Sequence, residues 1–132
     1  QNKHGEPQLM KITIIWPAGN CTGWLNDSST AQSIIAALPV DSRANTWGEE
    51  VYFEITVSAE ADADARTVVD AGDICFWPPG HAIAIAFGPT PISTGDECRL
   101  ASPCNVLGRI DGDPRVLASV QSGDAISMCL ID

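Results

Sequence analysis

The sequence predicts a mainly β protein, a closed or nearly closed antiparallel barrel capped by two short helices. Short segments rich in β-branched and aromatic residues recur along it, separated by turn signals built on Gly, Pro, Asn and Asp. Only two stretches carry helix-start chemistry. With 132 residues the chain has about the length of one ordinary domain. One domain over 9–132 is expected behind a polar tail, residues 1–8 (QNKHGEPQ).

Residues 11–16 (KITIIW) are β-branched and stop at Pro17 and Gly19, which reads as a first strand with 21–25 as its hairpin partner. In 26–39 (NDSSTAQSIIAALP) a run of capping residues precedes Ala31, Ile34, Ile35 and Leu38 at helical spacing, and Pro39 ends the turn. Residues 43–47 and 50–57 form a strand pair that reverses at Gly48, and 60–66 (EADADAR) follows as a solvated acidic loop. After Gly72 and Asp73, ICFW and AIAIAF make a hairpin around WPPGH. There Pro78 and Pro79 fix two φ angles and Gly80 supplies a positive one. Residues 88–103 (GPTPISTGDECRLASP) show no hydrophobic period and read as a long ordered loop over one side of the sheet. Long loops often carry function. A strand over 105–110, a short helix from the N-cap Asp113 and Pro114 to Ser119, and a strand over 125–131 complete the chain.

Charge narrows the function classes. Seventeen acidic residues against seven basic ones give a formal net charge of −10, which repels phosphate backbones and anionic bilayers. Neither a nucleic acid nor a membrane is an expected partner. No apolar run approaches the roughly 18 residues of a membrane span, and a soluble, cytoplasmic protein is expected. The five cysteines, Cys21, Cys75, Cys98, Cys104 and Cys129, show neither a CxxC pair nor zinc-finger spacing. A reduced interior is the simplest account, with Cys75 and Cys129 as core thiols. A disulfide between Cys98 and Cys104 across their short loop stays open. His4 and His81 lack acidic partners at ligand spacing, so neither a metal nor a cofactor is expected.

The stretch ANTWGEEVYFEI, residues 44–55, holds three of the eight aromatic residues (four Trp, one Tyr, three Phe) around two adjacent glutamates. Period-2 patterning places Val51, Phe53, Ile55 and Val57 on one face, as core, and Glu50, Tyr52 and Glu54 on the other. Glu49 and Glu50 then point to opposite faces and do not form an acid/base pair. G-x-S-x-G is absent, and no His stands at a recognisable spacing from the loop hydroxyls, so a hydrolase triad is unsupported.

The order of elements resembles the cyclophilin-like barrel. NTWGEEVYF (45–53), GDICFWPPGHAIAIAFGPTP (72–91) and PCNVLGRIDGD (103–113) resemble signature blocks of small bacterial and archaeal cyclophilin-like proteins of uncharacterised function, over nearly the whole chain from Leu9 onward. NVLGRIDGDPRVLASV is also similar to the strand-then-helix pattern of true prolyl isomerases. Those enzymes carry a Phe-His-Arg strand and a Phe-Met-x-Gln-Gly-Gly block. Here Asn45, Thr46, Trp47, Gly48, Glu49, Glu50 and Val51 stand in that part of the chain, and Arg43 is out of register. The resemblance therefore implies the fold and transfers no catalytic residue.

Small barrels fill their interiors with side chains and bind on an outer face. If 43–47 alternates as a strand, Arg43, Asn45 and Trp47 share a face and the reversal at Gly48 brings them beside Glu50 and Tyr52. Asn45, Trp47, Glu50 and Tyr52, with Trp77, His81 and Thr90 beside them, are the candidate binding residues for a small-molecule or peptide ligand. Structural roles remain open for each: Trp47 as rim packing, Tyr52 on a loop carbonyl, Glu50 paired with Arg43, and Trp77, His81 and Thr90 as turn residues. The reading is a binding module. Its alternatives are a divergent prolyl isomerase, an acid/base role for a desolvated Glu50, and a homodimer formed through exposed strand edges or the aromatic face.

Overall fold

Period-2 alternation lays much of the chain out as strands. The structure, a computed structural model, describes residues 9–131. Along the chain come β1 (Met10–Trp16), β2 (Gly19–Leu25), α1 (Ser29–Ala37), β3 (Val40–Arg43), β4 (Asn45–Thr46), β5 (Glu50–Glu54), β6 (Arg66–Val69) and β7 (Asp73–Trp77). A 3-10 turn (Pro78–Gly80), β8 (Ala82–Ala86), β9 (Cys98–Ile110), a 3-10 helix (Pro114–Ser119) and β10 (Ala125–Leu130) complete it. The expected tail over 1–8, with His4, lies outside the described residues.

Nine of the strands form one path, β3-β10-β1-β2-β9-β7-β8-β5-β4, and β6 pairs with β9 beside it. Every pairing is antiparallel. The two ends of the path, β3 and β4, are separated in sequence by Ala44 alone. The chain itself therefore crosses from one edge of the sheet to the other and brings it to near closure. Ala44 is held there by its N–H on Asp124 O and by Gly123 N–H on its carbonyl, each at 2.8 Å. This is the expected mainly β, nearly closed antiparallel barrel.

Inward alternation builds the main core from Ile12 and Ile14, Val51 and Phe53, Ile74 and Phe76, Ile83 and Ile85, all essentially buried. The helices cap it as expected. Ser28 Oγ accepts from Ala31 N–H at 3.3 Å to start α1, which buries Ala31 and Ile34. The second is a 3-10 helix, with Asp113 as N-cap and Trp16 Nε1 donating to Ser119 Oγ at 2.8 Å.

Four expectations are corrected. Residues 43–47 are two strands, because β3 pairs with β10 while β4 pairs with β5. The loop expected over 88–103 ends where β9 begins at Cys98. Strand β6, pairing with that first half of β9, follows the acidic loop and was not expected. At the WPPG turn the positive φ belongs to His81, at 49°. Gly80 is required for another reason: a Cβ there would run into the six-membered ring of Trp77.

Candidate functional site

The outward side chains of β5 are not left to solvent. Register places Glu50 opposite Ala86 and Tyr52 opposite Ala84, and Ala84 opposite Cys75 of β7. In AIAIA the isoleucines take the core and the alanines take the outer face, so β8 offers only methyl groups between Tyr52 and β7. That leaves room above the sheet. The first half of β9, splayed out to pair with β6, fills part of it with a second, smaller core of Val69, Cys75, Ala86, Cys98, Leu100 and Cys104.

Where this second layer stops, a cavity of about 200 Å³ remains, lined by Trp47, Glu50, Tyr52, Trp77, Leu100, Ala101 and Cys104. Trp47 is placed by the β4–β5 reversal, its N–H donating to Glu50 O at 3.0 Å, with Gly48 at φ 62°. Tyr52 meets Trp77 edge to face, with centroids 5.9 Å apart and planes at 77°. Trp77 Nε1 donates to Ser102 Oγ at 2.7 Å, which ties the indole to the β9 wall.

Glu50 is the unusual member. It is only 5 % exposed, and its Oε1 is buried without a hydrogen-bond partner. Removal from water pushes its pKa up to about 7. Cys104 is pushed up to about 12 by burial and by the adjacent Glu50, and Cys75 is raised by burial and by charges that include Glu50. Both thiols are therefore neutral where Glu50 titrates. The arrangement offers a half-enclosed aromatic chamber with one carboxyl able to gain or lose a proton near neutrality.

Four of the seven candidate residues, Trp47, Glu50, Tyr52 and Trp77, meet at this cavity. The other three do not line it. Asn45 is exposed on β4, facing Tyr52 only through the backbone register. His81 sits past the end of β7, its Nδ1 3.2 Å from Ser58 Oγ and 3.4 Å from Val57 O. Thr90 is buried behind the Trp47 turn. Its hydroxyl donates to Arg99 O, its N–H donates to Ser93 Oγ at 2.9 Å, and its Cα lies against Gly48. Arg43 is drawn away by β3 and donates to Gly123 O at 3.3 Å, so it neither shares a face with Trp47 nor pairs with Glu50. Leu100 and Ala101 fall within the loop expected over 88–103, although Cys98 and Leu100 already show alternation, and Cys104 falls between that loop and the strand expected over 105–110.

All five cysteines are free thiols, Cys98 and Cys104 included, and Cys129 is only partly buried. Among the described residues no group of three His, Cys, Asp or Glu side chains is placed to hold a metal ion. No helix among them is long and apolar enough to cross a membrane.

Residues 10–129 match the family model described as Cyclophilin-like. The chain is also similar to the solution structure of a hypothetical protein from Archaeoglobus fulgidus, with a TM-score of 0.81 and 34% identity over 98% of this chain and 100% of that one. No curated protein matches it.

Proposed function

The chain belongs to the cyclophilin-like family, and from that premise we propose that it is a binding member of it, holding a small molecule or short peptide in the groove between β5, β7 and β9 without isomerising prolyl bonds. One observation carries the reading: a buried glutamate, one of whose carboxylate oxygens has no partner, is among the residues that line a cavity walled by three aromatic rings. An unsatisfied buried polar atom costs about 1–3 kcal/mol, and a charge or donor brought to this carboxyl group from the cavity offsets that cost. An apolar pocket with few polar groups is the ordinary form of a small-ligand site. The rotation of an X-Pro bond in true cyclophilins relies on an arginine, and none lines this cavity among the described residues.

The test is a thermal-shift and NMR screen of neutral, anionic and cationic fragments against the full chain, repeated on Trp47→Ala. Hits that bind the wild type and lose binding in the variant support the site; undiminished affinity in a folded variant moves it elsewhere. A prolyl-isomerase assay runs beside it, and the expected rate does not exceed the uncatalysed one. Robust isomerase activity lost in Trp47→Ala or Glu50→Gln would replace this reading with a rebuilt isomerase site. Light scattering completes the set, since a dimer burying Trp47 and Tyr52 would leave no groove for a ligand.

A further inference from the structure

Three rings and one carboxylate meet at the groove, and no Lys, Arg or His joins them there among the described residues. Two polar side chains on the walls are already engaged, while among the described residues the Trp47 indole N–H, the Tyr52 hydroxyl and the Glu50 carboxyl make no hydrogen bond. Trp77 Nε1 donates to Ser102 Oγ at 2.7 Å, and Cys104 Sγ lies 3.4 Å from Ser102 O. Among the described residues Glu50 Oε1 alone is buried and unpartnered. The edge-to-face arrangement of Tyr52 and Trp77 makes the aromatic wall turn a corner instead of stacking shut. A complementary ligand therefore brings one positive charge, apolar surface on several sides, and few N–H donors in need of acceptors.

We propose that the groove takes a small organic cation, an alkylated ammonium group of the trimethylammonium type, seated among Trp47, Tyr52 and Trp77 with its charge opposite Glu50. The proposal rests on the reading of this groove as a ligand site and names its ligand class. Aromatic faces attract such cations through the ring quadrupole, most strongly where water is excluded. A primary ammonium would carry three diverging N–H donors into a chamber whose side-chain acceptors, the Glu50 carboxylate and the Tyr52 hydroxyl, leave unpaired any donor turned toward the rings; a quaternary one carries none. The net charge of −10 raises the local concentration of cations generally. Glu50 supplies the counter-charge that makes burial of the cation tolerable.

The same chemistry sets a pH dependence. The groups facing Glu50 are the thiols of Cys75 on β7 and Cys104 on β9, both raised in pKa, and the phenol of Tyr52. Glu50, at about 7, is the one that changes charge near neutrality. A bound cation favours the ionised carboxylate, so binding releases a proton below neutrality and affinity falls as the pH drops.

The experiment titrates choline, tetramethylammonium and the neutral choline isostere 3,3-dimethylbutan-1-ol into the full chain, followed by the indole N–H signals and by calorimetry at about pH 8 and about pH 5.5. Wild type, Glu50→Gln, Trp47→Ala and Trp47→Phe are compared, the last two so that a folded Trp47 variant is at hand. Expected are cation affinity at least about tenfold above the isostere, a loss of about tenfold or more in Glu50→Gln, and weaker binding at the lower pH. Equal binding of cation and isostere, both lost in Trp47→Ala, would overturn the cation and leave the ligand groove standing. Cation binding that ignores all three variants, or no cation binding at millimolar concentration, overturns the proposal whatever the fragment screen finds.

Discussion

Glu50 is held in the folded protein at the cost of its charge, and the sign of that cost is measurable. Its pKa rises from an ordinary 4.5 to about 7, so between those values the folded state keeps a proton that the unfolded state has released. Stability contributed at this site is therefore fully present below pH 4.5 and is lost as the pH rises through 7. The shift corresponds to about 3 kcal/mol. Glu50→Gln, which cannot ionise, is expected to match the wild type in urea unfolding at about pH 4.5 and to exceed it by a large part of that amount at about pH 8. Equal stabilities at both values would show a carboxyl with ordinary solvation. Period-2 spacing in WGEEVYF sufficed to put Glu50 and Tyr52 on one face away from the core. It could not show that this face is covered, because the cover comes from β9, about fifty residues downstream.

At the scale of the element, the two turns beside the groove are more constrained than their compositions suggest. Gly48, at φ 62°, would place a Cβ 2.9 Å from both Thr90 Cα and Pro91 Cδ. Gly48→Ala is expected to lose about 1–3 kcal/mol by thermal or urea unfolding, and a loss near zero would mean that the 88–91 segment yields freely. Gly80→Ala presses on Trp77 and is expected to shift the Trp77 indole N–H signal as the ring moves off Ser102, together with a similar loss of stability. An unmoved signal would show that the turn absorbs the methyl group. The WPPG stretch announced a turn, while the neighbour that excludes a side chain at Gly80 is visible only in three dimensions. The first half of β9 escaped the sequence for a local reason. Its pairing with β6 slips between Val68↔Arg99 and Arg66↔Cys104, and the polar Ser102 interrupts the apolar row that Cys98 and Leu100 begin and Cys104 resumes. Strand β3 escaped because VDSR, of which no residue is fully buried, lacks an apolar face.

For the whole molecule, two cores of unequal size sit on opposite faces of the β5-β8-β7 sheet. The outer one comprises six buried residues around Leu100 and Cys104, and smaller clusters open at lower free energy than the main core. Amide exchange is expected to be faster in β6 and over 98–104 than in β1 and β7; uniform protection would mean that both layers open as one unit. The barrel, nearly closed as expected, was legible because its inner face obeys one period in nearly every strand, whereas the strand pairings that bring about its closure were not. That closure carries a consequence for how the protein is made. Strand β10 lies between β1 and β3, so during synthesis both strands wait with bare edges until nine of the ten have been translated. Local hairpins such as β1–β2 and β7–β8 can form as they emerge, while the circuit is completed by contacts of the longest sequence separation, the kind that slows barrels to milliseconds or seconds. The newborn chain therefore passes through an interval in which the strands destined to flank β10 are open to other partners, and its yield depends on how quickly that last strand arrives.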